Sequence, residues 1–186
     1  MAWITTIHEN DAEGELAKTY ETVKKRAGSV GNFGRGFSLK PHMYETFIRA
    51  YLDACFHKKN VLPPWYQEAV ATYVSVLNGC AFCVSHHAAA LLTHCPDRNF
   101  ALGATGALAA DKPERFFSGK ELAGLRYARQ LTLEPASVEE QDIQALRDAG
   151  LNDEAILEIN LTAGVFAWAN RYVSGLGISI EGDDLD

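Results

Sequence analysis

Residues 68–87 read EAVATYVSVLNGCAFCVSHH and place two cysteines and a histidine at helical spacing. If Cys80 begins a helix, Cys83 and His87 lie within roughly 60° of it, because each residue turns the helix by about 100°. Cys80 and Cys83 are then one turn apart, a separation that a disulfide tolerates. His87, four residues after Cys83, can reach back and take its proton. The spacing therefore indicates an activated nucleophile.

The dipeptide Asn78-Gly79 predicts that one helix ends here and that another begins at once. Both sulfurs would then lie in a first helical turn, where the positive end of the helix dipole favours a thiolate. If the two helices fold back to back about Gly79, Glu68 comes within one turn of His87. Its carboxylate could then orient the imidazole or share a proton with it. An exposed glutamate without such a role fits the spacing equally well.

Other interpretations of these side chains are structural. A zinc site needs four ligands, and the chain offers no second Cys-x-x-Cys or His-x-x-x-His pair. Buried inert thiols are common, since free cysteine is among the most buried residue types. We interpret Cys55 and Cys95 in this way, as core residues that a reducing compartment keeps as thiols. His86 points roughly 120° away from Cys80 and is interpreted as a surface histidine.

The arrangement of Glu68 followed by Cys80-x-x-Cys83-x-x-x-His87 resembles the signature of the AhpD-like alkylhydroperoxidase family, within the carboxymuconolactone decarboxylase superfamily. The likeness is close over about residues 62–92. Four flanking stretches resemble the peroxidase-related branch of that family: Gly31-Asn32-Phe33, Leu39-x-Pro41, Leu131-Thr132-Leu133-x-Pro135 and Asn170-Arg171.

This resemblance implies a role for each residue of the motif. Cys83 would attack the peroxide, Cys80 would be the resolving thiol, and His87 with Glu68 would form a proton relay. The resemblance also implies a homo-oligomer, often a trimer or hexamer, and an external dithiol as reductant, with no metal, haem or flavin cofactor. One position departs from the pattern, because AhpD proper has a second histidine just before the second cysteine and this chain has Phe82. A relay step through that histidine and the identity of the electron donor therefore stay open.

Composition limits the partners that we expect. The 186 residues suit a single domain, 1–186, that is large enough to bury its own core. A formal net charge of −7 disfavours nucleic acid and anionic membrane surfaces, which attract clustered basic residues. The first residues lack a signal-peptide pattern and no stretch has the roughly 20 apolar residues of a membrane span. We therefore expect a cytoplasmic protein.

Helical periodicity runs through nearly the whole chain, and no period-two strand pattern is convincing. It predicts an all-α fold of six to eight helices around the hairpin that carries Cys-x-x-Cys. The glycine-rich residues 28–40 are predicted as a loop near an oligomer contact or a substrate entrance; they lack both common phosphate-binding spacings. The helix start signals are Asp11, Pro41, Pro63-Pro64, Ser118-x-x-Glu121, Ser137-x-x-Glu140 and Asn152.

The leading functional hypothesis is a thiol-dependent peroxidase that reduces a hydroperoxide through Cys80 and Cys83. One alternative is a thiol–disulfide reductase or redox sensor that uses the same pair. Another is an acid–base enzyme like the cysteine-free decarboxylases of the superfamily, in which His87 and Glu68 would do the chemistry. A non-catalytic oligomeric scaffold with unreactive thiols is the fourth hypothesis.

Overall fold

The computed structural model describes residues 2–183, which are largely helical and contain no β-strand. The nine α-helices of this range are α1 (Gly14–Ala27), α2 (Gly31–Gly36), α3 (Pro41–Phe56), α4 (Pro64–Leu77), α5 (Ala81–His94), α6 (Arg98–Ala109), α7 (Gly119–Leu133), α8 (Glu140–Asp148) and α9 (Asp153–Leu176). Short 3-10 turns cover Glu9–Asp11, Pro113–Arg115 and Pro135–Ser137. The all-α fold is confirmed, with one helix more than the predicted upper number. Within residues 2–183, no helix combines the length and the apolar character that crossing a membrane requires.

Helix α4 lies at the centre of the molecule. Its residues from Tyr66 to Ser75 are all buried, and it packs against α3, α5, α6, α7 and α9. A helix buried on every side must pair its polar side chains internally. Gln67 accepts a hydrogen bond from Thr162 Oγ1 (2.8 Å) on α9, and Ser75 Oγ accepts one from Asn170 Nδ2 (3.0 Å) on the same helix. Glu68 is thus held on the most enclosed element of the fold.

Residues 28–40, predicted as a loop, contain the short helix α2. Gly28 ends α1 with φ +81°, and Gly31 begins α2 with φ +60°. The backbone N–H of Asn32, in the first turn of α2, donates to Asp183 Oδ1 at 2.7 Å. This contact joins residues far apart in the chain. The prediction of a loop was wrong because the group that binds the start of the helix, the Asp183 carboxylate, lies outside the local sequence.

Two of the predicted helix starts and one predicted cap need correction. Asp11 lies in a 3-10 turn, and α1 begins later, after Glu13. Ser118 precedes α7 as predicted, but its side chain makes no capping hydrogen bond. The capping box of α8 is formed by Glu139 and Asp142 instead of Ser137 and Glu140. Asn152 does cap α9, since its side chain accepts from the Ala155 N–H at 2.8 Å.

Candidate redox site

The turn between α4 and α5 carries the cysteine pair. Gly79 has φ +68°, a backbone conformation that glycine adopts at little cost. Asn78 Nδ2 donates to Val74 O and to Asn170 Oδ1, each at 3.0 Å, and so ties the turn to α9. Cys80 is the N-cap residue of α5, and Cys83 lies in the first helical turn. The helix stop and new start predicted from the sequence are therefore confirmed.

Cys80 and Cys83 are joined by a disulfide, with their Cα atoms 5.4 Å apart. The Cys83 N–H points at Cys80 Sγ, 3.4 Å away, in place of a usual oxygen cap. Both residues are almost fully enclosed, with 2% of Cys80 and 3% of Cys83 exposed. The cysteine pair therefore lies beneath the surface and depends on neighbouring cavities for access.

His87 and Glu68 meet across the hairpin. His87 Nδ1 lies 2.7 Å from Glu68 Oε2, and the Glu68 side chain has no exposed surface. Tyr51 on α3 donates its hydroxyl to the other carboxylate oxygen at 3.0 Å. An ionised Glu68 accepts from Nδ1–H, which leaves Nε2 as the nitrogen that can accept a proton. Sequence spacing allowed either this pair or an exposed Glu68, and the structure shows the pair. The spacing did not find Tyr51.

The buried Glu68 carboxylate also affects its neighbour Tyr51. Burial, followed by the negative charge of Glu68, raises the pKa of Tyr51 well above its usual value. The phenol therefore stays neutral and remains a donor. The His87 ring also packs edge-on against Phe166, with ring centroids 4.4 Å apart. These contacts fix the position of the imidazole from three helices: α3, α4 and α9.

A cavity of about 590 Å³ opens beside the pair. Cys83 and His87 line it, whereas Cys80 does not. Its walls are mostly apolar or aromatic and include Phe33, Phe47 and Phe166. A volume of this size falls in the range of small-molecule sites, about 300–1,000 Å³. The two sulfurs of the disulfide thus differ in access, and only Cys83 faces the cavity.

His86 has a more specific environment than the surface position predicted for it. Its Nδ1–H donates to the Phe82 carbonyl (2.9 Å), and its ring stacks on the Phe82 ring with centroids 4.3 Å apart. Nε2 lies 3.6 Å from Asp183 Oδ2, and both side chains line the cavity. The prediction was wrong because it measured the angle from Cys80. Measured from Cys83, three residues away, His86 lies only about 60° around the helix.

The two remaining cysteines stand apart from the disulfide. Cys55 is fully buried on α3, where burial and the nearby Glu68 charge raise the pKa of its thiol well above the usual value. Cys95 is partly buried at the end of α5, and its thiol donates to the Asp97 carbonyl at 3.3 Å. Across residues 2–183, no group of three or more histidine, cysteine or acidic side chains is arranged to hold a metal ion.

One segment of the chain matches a known protein family. Residues 41–94 match the sequence model of the Carboxymuconolactone decarboxylase family. This range covers α3, α4 and α5, the three helices that carry Tyr51, Glu68, the cysteine pair and His87. No similar sequence was found among curated proteins.

Solved structures share the fold over nearly the whole chain. A peroxidase-related protein with an AhpD core, from Ralstonia eutropha, is 22% identical with a TM-score of 0.81, covering 96% of this chain and 91% of its own. A peroxidase-related protein from a Silicibacter species is 24% identical with a TM-score of 0.78, over 97% and 92%. The debrominase Bmp8, in a complex with 2,3,4-tribromopyrrole, is 21% identical with a TM-score of 0.73, over 96% and 91%. At these identities the likeness establishes the AhpD-like fold.

Proposed function

Because residues 41–94 match the carboxymuconolactone decarboxylase family and the chain has the AhpD-like fold, we propose that it is a thiol-dependent peroxidase. One observation carries the proposal: Cys83 and His87 line the same cavity, while Glu68 holds the far nitrogen of that imidazole. A nucleophile, a base and a group that orients the base are the elements that activated-thiol chemistry requires. The apolar cavity walls favour an organic hydroperoxide over a small polar one.

In the first step, His87 Nε2 takes the proton of the reduced Cys83 thiol. The thiolate attacks the hydroperoxide, so that an S–O bond forms and the O–O bond breaks. The departing alkoxide takes the proton back from His87 and leaves as an alcohol. Cys83 is then a sulfenic acid. Glu68 stabilises the imidazolium that exists between these two proton transfers.

In the second step, the Cys80 thiol attacks the sulfur of the sulfenic acid. The S–O bond breaks, and the thiol proton leaves with the hydroxide as water. The product is the Cys80–Cys83 disulfide, which is the bond present in the structure. An external dithiol then donates two electrons and returns both cysteines to thiols.

The test is stopped-flow oxidation of the reduced protein by cumene hydroperoxide, with thiol counting and mass spectrometry to locate the disulfide. We expect Cys83→Ser to abolish turnover and Cys80→Ser to accumulate a sulfenic acid on Cys83. Cys95→Ser, which removes a thiol outside the cavity lining, is the control and should react like the unmodified protein. Full activity in both Cys80→Ser and Cys83→Ser would contradict the proposal.

Two alternatives predict different outcomes in the same experiments. A thiol–disulfide reductase or redox sensor would exchange with disulfides faster than with peroxide, and a measured reduction potential with a donor screen would identify it. An acid–base enzyme that uses His87 and Glu68 would keep its activity in Cys83→Ser. A brominated pyrrole in the same assay tests the chemistry that the debrominase neighbour represents.

We also propose that the protein forms a homo-oligomer in the cytoplasm. Leu157 and Leu161 lie one turn apart on α9 and are 56% and 50% exposed, which leaves an apolar strip on the surface of a single chain. Light scattering on the purified protein tests the assembly. A monomer at micromolar concentration would contradict it.

A further inference from the structure

Two segments, one near each end of the described residues, pack over the disulfide. The cysteine pair packs against Val173 and Ile178, and the partly buried Ala2, Leu176 and Ile180 extend this cluster. Trp3 joins the N-terminal segment to the end of α9, because its backbone N–H donates to the Leu176 carbonyl at 2.8 Å. Its indole lies so close to Gly177 that a side chain there would collide with it. We call residues 2–3 and 176–180 the terminal cover.

The terminal cover explains why the surface offers no route to Cys80. Cys80 is 2% exposed and lies outside the cavity lining, so it is enclosed on the cavity side as well. Cys83 is equally buried but lines the cavity. A reagent that enters the cavity therefore meets Cys83 first.

The hydrogen bonding of the pair also favours attack at the Cys83 sulfur. Attack on a disulfide pushes the electron pair onto the sulfur that is not attacked. Cys80 Sγ already accepts a hydrogen bond from the Cys83 N–H. It also lies at the N-terminus of the 14-residue helix α5, where backbone N–H groups stabilise negative charge. Cys80 is thus the better leaving group, and Cys83 is the better point of attack.

We propose that Cys83 is the sulfur at which the reductant enters, and that this reductant is a low-molecular-weight thiol that passes through the cavity. This inference rests on the redox function proposed above. A thiolate R–S⁻ attacks Cys83 Sγ, the S–S bond breaks, and Cys80 leaves as a thiolate. A second thiolate, which a dithiol carries on the same molecule, then attacks the reductant's sulfur in the mixed disulfide, releases Cys83 as a thiolate and forms the disulfide of the reductant. The reductant loses two electrons, and the two cysteine thiolates take up protons from solvent.

A dithiol on the surface of a folded protein does not fit this route. A domain of 100 residues has a radius of gyration of about 13 Å and does not fit inside a cavity of about 590 Å³. Such a protein would have to displace the terminal cover to touch either sulfur. The cavity, by contrast, accommodates a flexible thiol of the size of a small ligand.

The first test compares reductants on the oxidised protein in the absence of peroxide. Thiol counting measures the second-order rates with dithiothreitol and with reduced thioredoxin, which presents its dithiol on a folded surface. We expect dithiothreitol to react at least tenfold faster than thioredoxin. A faster reaction with thioredoxin would overturn the proposal.

The second test identifies the sulfur that is attacked. The oxidised protein is treated with 2-mercaptoethanol and iodoacetamide together, so that each thiol released is alkylated before it can close the disulfide again. Peptide mass spectrometry should find mercaptoethanol on Cys83 and the alkyl group on Cys80. Mercaptoethanol found mainly on Cys80, or equally on both cysteines, would contradict the proposal that the reductant attacks Cys83.

The third test loosens the terminal cover. Ile178→Ala removes a 5% exposed side chain that packs on the cysteine pair and lies outside the cavity lining. It should raise the rate with thioredoxin at least fivefold and leave the rate with dithiothreitol unchanged, because the small reagent uses the cavity. Leu146→Ala, which removes a 3% exposed side chain on α8 outside the cavity lining, is the matched control and should change neither rate. An unchanged thioredoxin rate in Ile178→Ala would contradict the role given to the cover.

These tests separate the inference from the peroxidase proposal. Reduction by thiols is measured without any hydroperoxide. Attack at Cys83 and the preference for a small thiol can therefore be found even if peroxide does not oxidise Cys83. Conversely, rapid oxidation by peroxide together with rapid reduction by thioredoxin would support the peroxidase and reject the inference.

Discussion

His87 reaches Glu68 across the α4–α5 hairpin, with 2.7 Å between Nδ1 and Oε2. This contact connects the buried helix α4 to the cavity that Cys83 and His87 line. A carboxylate without solvent contact is costly unless it is hydrogen-bonded. Here both of its oxygens have donors, one from the imidazole and one from Tyr51. Burial of the Glu68 carboxylate costs folding energy, and the same carboxylate orients His87, the proposed base.

Glu68→Gln tests the proton relay. The amide keeps the shape of the side chain but removes the negative charge that stabilises a protonated His87. We expect the rate of Cys83 oxidation by hydroperoxide to fall about 100-fold, which is the lower end of the usual contribution of general acid–base catalysis. Glu154→Gln, on the exposed first turn of α9, is the control and should keep the rate. A rate within threefold of the unmodified protein would remove Glu68 from the mechanism.

Tyr51→Phe tests whether the second donor to Glu68 supports the relay or only the fold. Loss of the hydroxyl leaves one buried carboxylate oxygen without its partner, which should lower the free energy of unfolding by about 1–3 kcal/mol. Because Tyr51 also holds the carboxylate in place for His87, the oxidation rate should fall as well, by less than in Glu68→Gln. Urea unfolding and stopped-flow oxidation measure the two effects.

The control for this variant is Tyr127→Phe, which removes a hydroxyl that accepts from Asn160 Nδ2 at 2.8 Å away from the cavity. It should lower stability without changing the oxidation rate. Equal oxidation rates in the two variants would show that Tyr51 has a structural role alone.

The sequence was sufficient for the parts of the site that lie close together along the chain. Asn78-Gly79 predicted the turn, and helical spacing predicted that Cys83 and His87 share a face. Cys80, predicted on the same face, is the N-cap of α5 and lies outside the cavity lining. Contact between Glu68 and His87 was one of two interpretations that the spacing allowed, because only one hairpin separates them. These are local relationships, governed by the period of the helix and by the backbone freedom of glycine.

The parts that were missed depend on contacts between distant segments. Tyr51 reaches the carboxylate from another helix, and Asp183 binds both α2 and the His86 ring from the far end of the chain. Neither residue carries a local signal for such a contact. The short α2 is an example of the same limit, since six residues rich in glycine have little helix propensity of their own.

Gly31→Ala tests the contact between α2 and Asp183. Gly31 has φ +60°, where an alanine costs roughly 1–2 kcal/mol, and its Cβ would lie 2.6 Å from Asp183 Oδ1. Gly119 has φ +52° with open space around it, so Gly119→Ala carries the backbone cost alone. We expect Gly31→Ala to lower the free energy of unfolding by more than Gly119→Ala does. Hydrogen exchange should also become faster over residues 31–36 in Gly31→Ala alone. Equal losses in the two variants would show that the Asp183 contact contributes little.

Asp111→Asn tests a site away from the cavity, where the backbone is left-handed at φ +53°. Arg129 pairs with the Asp111 carboxylate and Tyr73 donates to it, so that these hydrogen bonds hold the pKa of Asp111 below its usual value. Asparagine tolerates the left-handed conformation, and the substitution therefore removes the charge without adding backbone strain. Because the carboxylate is partly exposed, we expect a loss of about 0.2–1 kcal/mol at pH 7.

The dependence of this loss on pH follows from the direction of the shift. A lowered pKa in the folded state means that the ionised carboxylate stabilises the fold, and this contribution is complete above the pKa of the unfolded chain, about 3.9. As the pH falls through the lower pKa of the folded state, Asp111 becomes protonated and the contribution disappears. The difference in unfolding free energy between the unmodified protein and Asp111→Asn should therefore be constant from pH 5 to pH 7 and shrink below about pH 4. Urea unfolding at a series of pH values measures it, and a difference that grew with acidity would reverse the sign assigned to the Arg129 pair.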